Sequence, residues 1–329
     1  MNSDSTDSPV VTSSTDRLPF AGAPADTGWP VWPARPRFQH RYGPHLILFG
    51  LTFFTTTFAQ SLGALVMTGG QIGLANVFTW EIFRQGLWYS IPLLTILSAH
   101  EFGHYFACRH HNVDATLPYF LPAPLPLTGT LGAVIRIKEP FPSKLALFDI
   151  GVAGPIAGFV ALVPFLYWGM RMSEVAVLET SRGVLYFGEP LLWKILEYWH
   201  FGPLAEGADV MVHPLGFAAW WGMLATALNL LPFGQLDGGH IMYATLGRHA
   251  AWISRLTLLA VVLLTWQSSS WAAMAVMMIV MALYFGFRHP RVLHEELDVT
   301  GRRTLVAIAA VVIFALCFTP VPIQVLGVD

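Results

Sequence analysis

The sequence predicts an all-α polytopic membrane protein, a bundle of about six to seven transmembrane helices with a short β-hairpin or strand region before the third. Three observations predict it. Of 329 residues, 54% are hydrophobic and 12% charged, about half the usual charged share. Apolar runs of about 20 residues, long enough to cross a bilayer, recur after residue 44. Basic residues gather between alternate runs, the pattern that orients membrane proteins. The 18 basic and 20 acidic side chains are too few to coat a soluble protein of 36.3 kDa whose mean hydropathy is +0.55. A net charge of −2 and a pI near 6.6 argue against nucleic acid as a partner. Cys108 and Cys317, both in apolar surroundings, exclude a disulfide-stapled secreted domain.

Residues 1–44 differ from everything after them. Pro9, Pro19, Pro24, Pro30, Pro33, Pro36 and Pro44 lie among serines, threonines and aspartates. Such a segment buries too little apolar surface to offset its ordering, so a flexible N-terminal tail is expected. The opening MNSDS has no basic region followed by an apolar stretch, and is not expected to be a signal peptide. A membrane core is expected over 45–250, and further transmembrane helices over 251–329.

The first span runs from His45 to Met67 and the second from Leu87 to Cys108, with HEFGH near its end. The third, Phe148 to Met170, has GVAGPIAG near its start. The fourth begins at Leu215 and continues to Leu246, with a break around the proline and glycines of NLLPFGQLDGGH. Two more cover 252–267 and 271–287, a pair that could instead include a short interfacial element. The last runs from Thr304 to Phe318.

Charge placement orients the bundle. Arg35, Arg37 and Arg41 precede the first span, and Arg109, Arg136, Lys138 and Lys144 separate the second from the third. Arg248 and Arg255 flank the junction of the fourth and fifth, and Arg288, Arg291, Arg302 and Arg303 lie between the sixth and seventh. All fall on one side if the tail is cytoplasmic. The opposite side receives 171–213, where Glu174, Glu179, Glu189, Glu197, Glu206 and Asp209 outweigh Arg171, Arg182 and Lys194. Arg84 is the outlier. A multi-pass protein of the cell (inner) membrane is expected, with its N-terminus cytoplasmic and its C-terminus outside.

Ionisable groups within apolar spans are costly and usually functional. His100, Glu101 and His104 form H-E-F-G-H on the second span. A spacing of four puts both imidazoles on one helical face, where they can hold one metal ion. Glu101 between them can serve as general base for a water molecule there. Zinc suits a nitrogen and carboxylate set, acidifies water and polarises a peptide carbonyl. The bland alternative is a pair of interfacial histidines with Glu101 paired to an arginine. His110 and His111 sit at the polar boundary and read as surface residues.

A third ligand should be another intramembrane polar group, and Asp237 is the strong candidate on the fourth span. From Leu87 to His104 is about 26 Å of helix, and from Leu215 to Asp237 about 33 Å, less the Pro232–Gly234 break. The second and fourth spans run the same way, so both motifs approach the cytoplasmic half. Asp149 is a rival, but it opens the third span and could equally cap it.

HEFGH at 100–104, GPIAG at 154–158 and NLLPFGQLDGGH at 229–240 resemble, in order and setting, the site-2 protease family of intramembrane zinc metalloproteases. The resemblance covers about 45–250. It implies that His100, His104 and Asp237 hold one Zn2+ and that Glu101 activates water. By analogy Asn229 would hold the substrate strand or the developing oxyanion, while His240 would touch substrate, support a ligand or sit at the surface. The implied activity is hydrolysis of a peptide bond in or near a transmembrane segment of a membrane-protein substrate, as in regulated intramembrane proteolysis. A catalytically silent zinc-binding scaffold or a metal transporter is the alternative. An intact Glu101 argues against the first, and the apolar outer halves of the spans against the second.

The stretch 128–140, TGTLGAVIRIKEP, alternates weakly. It suggests a strand or hairpin able to pair with an unwound substrate, and the resemblance places it at the membrane. Gly151, Gly154, Ala157 and Gly158 offer small surfaces for close packing of the third span against the zinc-bearing helices. No stretch resembles an inserted PDZ domain, 171–213 being too short and too rich in tryptophan and leucine.

Overall fold

The computed structural model describes residues 37–67, 79–177, 184–287, 292 and 299–326. The expected tail lies outside these up to residue 36, as do Arg35, Glu179, Arg182, Arg288 and Arg291 of the charge pattern. The chain divides into Met1–Arg37 and Phe38–Asp329, and everything below belongs to the second unit.

Nine helices are described: α1 (Tyr42–Met67), α2 (Trp80–His110), α3 (Lys144–Arg171), α4 (Leu191–Phe201), α5 (Pro214–Asn229), α6 (Asp237–Leu246), α7 (Ala250–Leu264), α8 (Trp271–Phe285) and α9 (Arg302–Cys317). By length and composition, Tyr42–Gly63, Lys144–Arg171 and the stretch Asp237–Leu264, which comprises α6, a 3₁₀ turn and α7, are long and apolar enough to cross a membrane. The protein is therefore helical and membrane-spanning.

α3 is the central element. Its Leu147, Phe148, Leu162 and Leu166 are fully buried, packed with Trp220 and Met223 of α5 and Ala310 and Ile313 of α9. Close approach is possible because small residues face each other. A Cβ on Gly169 would run into the backbone of Gly216 in α5. Ser143 caps α3, its hydroxyl accepting the Ala146 N–H at 3.2 Å. Asp149 is thus not the cap.

α1 packs on α2 through hydroxyls rather than bulk. Thr57 donates to Ser90 Oγ at 2.7 Å, and Ser61 to the Ile82 carbonyl at 3.1 Å. β1 (Tyr119–Pro122) and β2 (Thr130–Val134) pair antiparallel, with Tyr119 opposite Val134 and Phe120 opposite Ala133. Their connection is seated by the Tyr89 hydroxyl, which donates to the Leu127 carbonyl at 3.1 Å. Gly129 has φ +69°, and a Cβ there would meet the backbone of Thr55 and Thr56, so only glycine allows this turn to rest on α1.

The fourth apolar stretch is split where expected. α5 ends at Asn229, and α6 begins at Asp237. The carbonyl of Pro232 within the break accepts the Ser254 and Thr257 hydroxyls of α7 at 3.4 and 3.3 Å. α7 thus returns beside the break after a single 3₁₀ turn, Gly247–His249.

The described residues of 171–213 form more than a loop. β3 (Glu174–Val177) pairs antiparallel with β5 (Ala208–Met211), and β4 (Val184–Phe187) with β6 (Ile323–Leu326). The Trp220 indole N–H of α5 donates to the Gly188 carbonyl at 2.7 Å and ties this layer to the core. Four-residue strands that pair with distant partners leave no alternating pattern long enough to read.

Candidate metal centre

Helical spacing brings His100 and His104 together on α2, their Nε2 atoms 3.1 Å apart. Both are buried at 6% exposure, with Glu101 at 7%. Asp237 is the first residue of α6, where the helix dipole favours a carboxylate. Its Oδ2 lies 3.2 Å from each histidine Nε2.

The three donor atoms therefore form a nearly equilateral triangle with edges of 3.1, 3.2 and 3.2 Å. Donors held about 2.0 Å from one tetrahedral ion stand roughly 3.3 Å apart. The set His100, His104 and Asp237 is the group able to hold a metal ion found among the described residues, and it fits a single zinc ion.

The neighbours orient these ligands. The His104 Nδ1–H donates to the Ile150 carbonyl of α3 at 2.7 Å, which leaves Nε2 with the lone pair. A Cβ on Gly154 would collide with the His104 imidazole, and one on Gly158 would lie 3.2 Å from Nδ1 of His100. The glycines of GPIAG are thus the surface on which both ligand rings rest. Gly238 and Gly239 do the same for the break, since a Cβ on either would strike carbonyls of Leu230 or Gly234.

The remaining residues fall into place around this triangle. Glu101 follows His100 on α2 and is buried like the two histidines, with β2 packed against the same helix. Asn229, at the end of α5, sets Nδ2 3.2 Å from His100 Nε2. His240 lies one turn beyond Asp237, its ring 5.6 Å from that of Phe141. Asp149 does not join the ligands. Its carboxylate accepts from Arg303 and from His111 at 2.7 to 2.9 Å. His111 is thereby an internal partner rather than a plain surface residue. The Ile150 carbonyl was invisible to sequence reasoning, since any residue offers one.

Residues 88–265 match the family described as Peptidase family M50. That is more than half of the chain and includes every residue of the triangle. The chain belongs to peptidase family M50.

The chain is 31% identical over 219 residues to the probable zinc metalloprotease EGY2, chloroplastic, of Arabidopsis thaliana, covering 66% of this chain and 38% of that one. It is 33% identical over 162 residues to the probable zinc metalloprotease EGY1, chloroplastic, of Oryza sativa subsp. japonica, covering 48% and 28%. The probable zinc metallopeptidase EGY3, chloroplastic, of Arabidopsis thaliana is 31% identical over 222 residues, covering 61% and 38%. The chain spans about a third of the length of these curated relatives. No solved structure matches it.

Proposed function

We propose that the protein is a zinc-dependent intramembrane endopeptidase that hydrolyses a peptide bond in or near a transmembrane segment of a membrane-protein substrate. The observation that carries this reading is the convergence of His100, His104 and Asp237 beside the buried carboxylate of Glu101. Neither helix packing nor metal ligation needs that carboxylate. Hydrolysis does.

Held by His100, His104 and Asp237, a zinc ion would supply the Lewis acidity that polarises a scissile carbonyl and acidifies water. Glu101 takes a proton from the attacking water and delivers it to the leaving nitrogen. Asn229, whose amide nitrogen lies at the edge of the triangle, donates to the substrate backbone or to the oxygen that gains charge. His240 supports α6 from the Phe141 side. A helical peptide bond is shielded from attack, so the substrate unwinds. The β1–β2 pair, packed on the helix that carries Glu101, offers it backbone partners.

In this reading the chain has a tail over 1–44, a catalytic core over 45–250 and C-terminal helices over 251–329, crossing the cell (inner) membrane about six to seven times. The N-terminus and the active site face the cytoplasm, as the arginine and lysine distribution favours. The test compares the membrane proteome of cells carrying wild type or Glu101→Gln. A truncated membrane protein present only with wild type is expected, and identical proteomes would overturn the assignment.

A further inference from the structure

One carboxylate outside the metal triangle joins three helices. Asp149, in the second turn of α3, accepts Arg303 Nε on Oδ1 at 2.8 Å and Arg303 Nη2 on Oδ2 at 2.7 Å. It also accepts His111 Nε2 on Oδ2 at 2.9 Å. Arg303 is the second residue of α9, and His111 closes the C-terminal end of α2. A two-pronged arginine–carboxylate pair fixes orientation as well as distance. The start of α3 is thereby pinned both to the end of the metal-bearing helix and to the start of the last described helix.

The next residue is Ile150, whose carbonyl receives the His104 Nδ1–H at 2.7 Å. Its side chain is buried against Tyr105 and Cys108, on the helix that carries His104. Any rotation or slide of the first turns of α3 moves that carbonyl and with it the imidazole. Asp149 has no other evident use. Ser143 caps the helix, and the carboxylate stands apart from the ligand group.

We infer that Asp149 and Arg303 are positioning residues for the metal centre: their ion pair sets the Ile150 carbonyl that orients His104. The last described helix, α9, then takes part in building the site although it lies beyond the family-matched residues 88–265. The inference rests on reading His100, His104 and Asp237 as ligands.

The test uses the full chain in lipid nanodiscs. Zinc affinity is measured by competition with a chelator, and ligand geometry by the visible absorption of the cobalt-substituted protein. Removing the partner that orients a ligating histidine typically costs about 10–100-fold in metal affinity. Asp149→Asn and Arg303→Lys act one step further out, so each is expected to weaken zinc about tenfold and to shift the cobalt bands. The double variant should be no weaker than the worse single. Glu81→Gln, which breaks the exposed pair with Arg84 on the first turn of α2, should change neither readout. Folded variants with wild-type affinity and bands, whatever their melting temperature, would overturn the inference. If Asp149→Asn fails to fold, Arg303→Lys decides on the same two readouts. Wild type that binds no zinc would overturn the ligand reading itself, a result distinct from variants that match a zinc-binding wild type.

Discussion

A Cβ on residue 154 would fall on the imidazole of His104, so glycine at that position is what allows α3 to lie against the ligand face of α2. The motif that carries no chemistry thus decides whether the chemistry can be assembled.

Gly154→Ala is therefore expected to displace His104 from the triangle. Overpacking of this kind costs about 1–3 kcal/mol, and a misplacement of about 1 Å at a reacting centre can cost roughly 100-fold in rate. Zinc retention after dialysis should fall together with turnover. Gly158→Ala, whose Cβ would stand 3.2 Å from His100 Nδ1, should show the milder loss of the two. Equal zinc retention in Gly154→Ala and wild type would contradict this packing account.

Trp220→Phe should loosen the layer formed by β4 and β6. It removes the 2.7 Å hydrogen bond to the Gly188 carbonyl while keeping a ring among Phe187 and Phe217. Leaving a buried carbonyl unpaired costs about 1–3 kcal/mol. A lower melting temperature with unchanged zinc affinity is expected. Equal melting temperatures would show that this bond does not hold the layer.

The stretch before α1 is held by Asp114. Burial alone would raise its carboxyl, but the Phe38 N–H at 2.8 Å and the Lys138 ammonium at 3.1 Å outweigh burial and hold it below the usual range. A carboxylate depressed in the folded state stabilises fully above its unfolded value, about 3.9, and loses that contribution as pH falls through the folded value. Protection of the Phe38 amide, measured by hydrogen exchange relative to its intrinsic rate, should fall as pH drops below about 4. Asp114→Asn should reduce that protection already at neutral pH. Protection insensitive to both changes would contradict the assignment.

What could be read ahead of the structure follows from local spacing. His100 and His104 are four apart on a helix, and that alone puts their rings on one face. Pro232 and Gly234, between Asn229 and Asp237, announce the break that turns Asp237 toward them. The pairing of β4 with β6 joins residues more than a hundred positions apart, and no local pattern encodes it. Arg303 reads as one of several topogenic charges, and only its position in space reveals Asp149 as its partner. The Ile150 carbonyl is a backbone group, and its use depends on where α3 lies rather than on what residue 150 is.

The most direct measurement of the central claim is zinc per chain in purified wild type, Glu101→Gln and Asp237→Ala, each washed with a weak chelator. Wild type and Glu101→Gln should each retain one zinc ion per chain, since Glu101 stands outside the triangle formed by His100, His104 and Asp237. Asp237→Ala, which removes a corner of that triangle, should lose most of it. Wild type without zinc, or Asp237→Ala with as much zinc as wild type, would contradict the account.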